Sequence, residues 1–139
     1  MKIRGTSQVL NRLKRVSSQA TLQTKSAVVR STDGIFKDAL DAVPVDLGDL
    51  KASGNRSYGD NQLTGTVVFG GSPAPYAPYV EFGTGTNVRI PEGFGAYAMQ
   101  FYKNGKGRMK AQPYLIPAFL NNKKIFLRDM RKIAKNISK

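Results

Sequence analysis

The chain has no cysteine, no histidine and no tryptophan in its 139 residues. Without Cys there are no disulfides, thiolate zinc sites or thiol nucleophiles. Without His, the commonest metal ligand and the usual general base near neutral pH are missing. Acid–base work falls to Lys, Tyr or a carboxylate, and carboxylates are scarce: 9 Asp+Glu stand against 22 Lys+Arg. They are scattered, and no close pair sits in an apolar setting that would raise a pKa. No phosphate-binding glycine loop and no GxSxG elbow occurs. These absences argue against an enzyme and imply no cofactor, no metal and no small-molecule substrate. No apolar run approaches the ~18 residues of a membrane span. Met1-Lys2-Ile3-Arg4-Gly5 is basic, but no signal-type apolar stretch follows it. The expectation is assembly in the cytoplasm with no membrane partner.

Apolar matter is sufficient for a core. Ile, Leu and Val number 27, with 7 Phe and 6 Tyr. A chain of this size buries roughly 68% of the surface its unfolded form exposes, and its length predicts a single domain over 1–139. The net charge of +13 exceeds what solubility needs and points to a polyanionic or acidic partner.

The first third predicts a helix. Thr6 or Ser7 is a candidate cap. Val9, Leu13, Val16, Ala20, Ala27, Ile35, Ala39 and Val43 then recur in steps of three, four or their multiples, and Pro44 stops the run. Ser31-Thr32-Asp33-Gly34 is a candidate kink. A helix from Ser7 to Val43 spans roughly 55 Å, too long to hide its stripe under one small domain, so the remainder is expected to meet another subunit.

After Pro44, Asp46 can cap a single helical turn that presents Leu47 and Leu50. Lys51–Tyr58 and Leu63–Phe69 read as two strands joined by a tight turn at Gly59-Asp60-Asn61. Tyr76–Phe82 is the aromatic centre, with Pro78 suited to the first turn of a short helix and Gly83 to its left-handed end. The stretch 83–110 reads as a mobile Gly-rich loop or β-extension, with a strand at Tyr97–Tyr102 and a turn at Asn104-Gly105. Its Arg89, Lys103, Lys106, Arg108 and Lys110 face Glu92 alone. The last third predicts a second helix with Pro117 in its first turn. Phe119, Phe126, Met130, Ile133 and Ile137 form its apolar stripe. From 121 to 139 it carries seven cations, among them Lys123, Lys124, Arg128, Arg131 and Lys132, and one carboxylate. The fold class is α+β: a long N-terminal helix and a C-terminal helix packed on a small, mainly antiparallel sheet.

Three segments in order carry a resemblance: Pro44-Val45-Asp46-Leu47-Gly48-Asp49-Leu50 to Ser53, Tyr76-Ala77-Pro78-Tyr79-Val80-Glu81-Phe82-Gly83-Thr84, and Ala111-Gln112-Pro113-Tyr114-Leu115-Ile116-Pro117-Ala118. The chain resembles the head–tail joining, or tail-completion, proteins of long-tailed bacteriophages and prophages. Leu47 and Asp49 depart from that pattern, which often has a small Thr and a basic residue there. Read by themselves, Asp46 and Gly48 are cap and turn. Tyr76, Tyr79 and Phe82 are core or interface. Gln112-Pro113-Tyr114 sets a corner that Leu115 and Phe119 anchor. Glu81, amid aromatic and β-branched neighbours in so basic a chain, is expected to meet a Lys or Arg.

The resemblance implies a structural virion protein of the neck. It would form a homo-oligomeric ring between the portal-side connector and the tail tube or tail terminator, with a channel for DNA. The basic side chains named above would meet acidic faces of neighbouring proteins or the phosphates of passing DNA. Two alternatives stay open: a small basic nonspecific DNA- or RNA-binding protein, and a tail-terminator ring.

Overall fold

Thirty-seven residues without a proline, Thr6–Ala42, form one α-helix, α1, about 55 Å long. The computed structural model describes residues 6–101 and 106–137. The candidate caps Thr6 and Ser7 both fall within α1. The expected kink at Ser31–Gly34 is continuous helix. Thr32 Oγ1 donates to Val28 O within its own helix, 2.8 Å away, which satisfies a hydroxyl only 5% exposed.

α2 (Gly48–Ala52) follows the Pro44 corner. The strand expected from Lys51 begins later, because Lys51 and Ala52 complete α2. β1 (Asn55–Gly59) and β2 (Thr64–Val68) pair antiparallel, Asn55 opposite Val68 and Gly59 opposite Thr64. The connection Asp60–Gln62 is a single 3₁₀-like turn with all three residues at positive φ. Thr64 Oγ1 donates to Asp60 Oδ2 at 2.6 Å and secures it. Two strands are marginal alone. Here α1 supports them: Asp33 Oδ1 accepts from the Tyr58 hydroxyl and pairs with Arg56 Nε, each at 2.6 Å. Gly65 lies so close to Thr32 that a Cβ there would overlap its side chain.

α3 (Ala77–Phe82) carries Pro78 in its first turn, as the sequence predicts, and ends at Gly83, whose φ of 78° is positive as expected while its ψ of −174° is extended. A single 3₁₀ turn, Gly85–Asn87, follows. Of the loop or β-extension expected between 83 and 110, the described residues form a loop with short helical turns and no strand. Of the stretch expected as the strand Tyr97–Tyr102, residues 97–101 are helical instead, in α4 (Gly95–Ala98) and then a 3₁₀ turn, Met99–Phe101, and Tyr102 lies outside the described residues. The Asn104-Gly105 turn and Lys103 lie outside the described residues. The described part of the segment packs on the body. Ala98 is fully buried, and the Tyr97 ring meets Phe82 edge-on at 5.7 Å. Its returning chain is tied to the outgoing one by Thr84 N to Met109 O and Met109 N to Thr84 Oγ1, both 2.9 Å.

α5 (Leu115–Ile137) completes the fold and runs antiparallel to α1. Arg30 Nη2 pairs with Asp129 Oδ2 and Asn122 Nδ2 donates to Asp38 Oδ2, each at 2.7 Å. Gly34 admits Asn122, which also donates to Ala118 O. Of the expected α5 stripe, Ile133 is buried and Phe126 and Met130 are half-buried, while Phe119 and Ile137 stay exposed. The core is built mostly of small residues: Ala39, Val43, Leu50, Ala74, Ala77, Val80, Tyr114 and Ala118 form one cluster, and Phe82, Ala98 and Ile116 a second. Small side chains let α1 and α5 approach closely. Among the described residues no helix is long and apolar enough to cross a membrane.

Candidate functional site

The N-terminus of α5 has no local cap. Residues 111–114 read Ala-Gln-Pro-Tyr, and none of these offers the short side-chain oxygen that usually accepts from first-turn N–H groups. Glu81, thirty-three residues earlier, supplies it. Glu81 Oε2 accepts from the backbone N–H of Tyr114 and of Leu115, and Oε1 from that of Ile116, all at 2.9 Å. The carboxylate is 6% exposed. Its charge also faces the positive end of a 23-residue helix. The expectation that Glu81 meets a Lys or Arg is corrected: among the described residues its partners are main-chain N–H groups.

The three sequence motifs therefore meet at one buried joint. From the first comes Leu50, fully buried, which packs with Ala77 and Val80 of the second and Tyr114 and Ala118 of the third. The backbone adds Gln112 N to Val80 O at 2.8 Å. Ser53 Oγ donates to Leu50 O and accepts from Gly70 N, tying α2 to the loop before α3. Asp46 does not cap α2: the residue before that helix is Leu47, no side chain caps it, and Asp46 is exposed. Gly48 begins α2 in the open. Tyr76 and Tyr79 are half-buried at α3, and Phe82 is one of the two largest fully buried side chains. Phe69 bridges the sheet to the joint, stacked on Phe36 at 6.0 Å and edge-on to Tyr114 at 5.3 Å.

Gly83 is required by two separate features. Its φ is positive, and a Cβ would stand 2.6 Å from Asn87 O and 2.8 Å from Ala111 N. Pro113 and Pro117 are exposed on the rim. Burial raises the Tyr114 hydroxyl pKa above its ordinary value of 10.0, and the neighbouring Glu81 carboxylate adds to the shift. Beside the joint lies an apolar hollow of about 410 Å³ lined by Phe69, Pro78, Phe82, Phe94, Tyr97 and Leu115 among others. A second hollow of about 390 Å³ shares Phe94, Leu115 and Ile116 and continues to Ile35, Val67 and Phe119.

The expected charged contacts form a separate surface. Lys124, Arg128, Arg131 and Lys135 follow one line along α5 in steps of four, three and four, on the face turned away from α1. Lys123 and Lys132 flank that line, and Arg89, Lys106, Arg108 and Lys110 are exposed on the 83–110 segment. No cluster of three or more Asp or Glu able to hold a metal occurs among the described residues. Sequence reading missed Asn122 and Asp38, which join the two long helices. A polar residue in the middle of the α5 stripe was the available signal. Comparison with protein-family models, curated proteins and solved structures gives no match.

Proposed function

We propose that the chain is a structural virion protein of the head–tail joint, a neck component that assembles as a ring between the portal-side connector and the tail. One observation carries the reading: the three resembling motifs, far apart in sequence, build a single buried joint around Glu81 and Tyr114. Such a joint fixes the angle between α3 and α5 and serves as scaffold. The exposed Lys124, Arg128 and Arg131 of α5 and Arg89, Lys106, Arg108 and Lys110 of the 83–110 segment then face solvent, where acidic neighbours or DNA phosphates in the channel would meet them.

Deleting the gene from its phage or prophage and imaging the particles tests this. Filled heads and separate tails are expected. Normally joined, infectious particles would overturn the reading. Tails of uncontrolled length would favour the tail terminator instead. The line of cations along α5 favours a second reading, a nonspecific nucleic-acid binder. Micromolar, steeply salt-dependent binding of the monomer to duplex DNA would support that reading over the neck.

A further inference from the structure

The N-terminal part of α1 has no partner among the described residues. α5 reaches the level of Gln23 and Ser26, where Ile133 and Asn136 share a surface hollow with them. Upstream of that level no other described element packs on α1. Residues 8–19 are exposed apart from the half-buried Val16. Yet Val9, Leu13, Val16 and Ala20 keep a four-three-four spacing, a seam rather than a solvated face. Val9 and Leu13 are each 60% exposed.

The charges of α1 oppose its own dipole. Residues 6–32 hold Arg12, Lys14, Arg15, Lys25 and Arg30 and no carboxylate. Residues 38–49 hold Asp38, Asp41, Asp46 and Asp49 and no cation. There is no acid in the first turn of α1 and no base in its last. Cations at the positive end and carboxylates at the negative end are unfavourable for an isolated helix. Asp38 has its partner in Asn122. Asp41, Asp46 and Asp49 are exposed around the α1–α2 corner, and between them Val45 stands 94% exposed. An apolar seam flanked by cations thus lies at one end, and an apolar knob flanked by carboxylates at the other.

We propose that the α1 overhang of one copy docks on the α1–α2 corner of a second copy, Leu13 and its seam against Val45, with Arg12, Lys14 and Arg15 facing Asp41, Asp46 and Asp49. The contact is head-to-tail, the type that closes into a ring when its rotation allows. It takes its partner, a second copy, from the ring reading above and adds the surfaces that join neighbours. The two surfaces cannot meet within one chain. Leu13 and Ala42 belong to one helix, which sets the two ends roughly 40 Å apart at 1.5 Å per residue.

The absence of native cysteine makes the test clean. Leu13→Cys and Val45→Cys proteins, both substituted at exposed sites, are mixed and oxidised. A disulfide needs Cα atoms within about 7 Å. The mixed dimer is expected to exceed each protein's homodimer and the mixture of Leu13→Cys with an exposed control, Ser72→Cys. Adding Asp41→Lys, Asp46→Lys and Asp49→Lys to the Val45→Cys protein is expected to cut the mixed dimer about tenfold, the scale of three exposed ion pairs. Arg12→Glu, Lys14→Glu and Arg15→Glu in the Leu13→Cys partner should restore it. A mixed dimer no more abundant than the Ser72→Cys control overturns the proposal. So does a dominant Leu13→Cys homodimer, or a charge swap that restores nothing. If the cross-link fails while the chain still enters tailed particles, the contact is wrong and the neck reading stands. If it succeeds while loss of the gene leaves particles joined, the contact stands and the neck reading falls.

Discussion

Glu81 places one carboxylate on three backbone N–H groups, and a carboxamide of the same shape cannot do this. In Glu81→Gln one oxygen becomes an NH₂ donor that faces N–H donors, leaving at least one buried donor unsatisfied. That costs about 1–3 kcal/mol, and the loss of charge at the helix end adds to it. Urea unfolding should show a midpoint shift of that size with an unchanged slope. An unperturbed midpoint would mean the cap is dispensable. Tyr114 gives a second residue-scale expectation. The folded chain holds its phenolic proton to higher pH than the unfolded chain, whose Tyr titrates near 10.0. Stabilisation is therefore complete below pH 10. Above it, unfolding releases a proton and stability falls, by up to about 1.4 kcal/mol per pH unit. Tyr114→Phe should flatten that alkaline decline, measured as wild type minus variant so that Lys titration cancels. The burial of Glu81 was legible in its apolar neighbours, but its partner was not. The signal lay in the uncapped Ala-Gln-Pro-Tyr before α5, and a cap thirty-three residues away has no local spacing to reveal it.

At the scale of elements, the long helices were legible because a three-to-four-residue period over many turns is hard to produce by chance. The strands were legible only as centres. Lys51 and Ala52 belong to α2 because Leu50 is drawn into the core, which shortens β1. The stretch expected as a strand had strand-forming aromatics, yet packing of Tyr97 on Phe82 and burial of Ala98 hold residues 97–101 helical; tertiary contacts override weak local preference. α1 itself divides into a buried part and an overhang, and this division carries a prediction. The overhang buries almost nothing, so a chain beginning at Gln19 should unfold within about 1 kcal/mol of the full chain. The same truncation should abolish incorporation into particles. A large loss of stability would show that the overhang folds back on the body.

The whole molecule carries +13, yet it is not uniformly basic. Positive charge collects on the α1 overhang and along α5, while Asp41, Asp46 and Asp49 gather at the opposite corner. Net charge and charge separation act over different ranges. Two copies at +13 repel at long range, whereas the docking pairs attract only at contact. Salt separates the two effects, because screening reaches about 30 Å at 0.01 M, about 10 Å at 0.1 M and about 3 Å at 1 M. At the lowest salt the full repulsion operates and the isolated chain should be monomeric. Near 0.1–0.2 M the repulsion between whole molecules is largely screened while contact pairs persist. At 1 M those exposed pairs are screened as well. The yield of the Leu13→Cys and Val45→Cys mixed dimer should therefore pass through a maximum at moderate salt. The Asp41→Lys, Asp46→Lys, Asp49→Lys variant should show no maximum, because it adds net positive charge and removes the contact pairs. A yield that rises steadily to 1 M would assign the association to the apolar seam alone, since salt strengthens apolar burial. A yield highest at 0.01 M would show that attraction between the two poles outweighs the +13 at every range, and that the ring needs no neighbour to offset its charge.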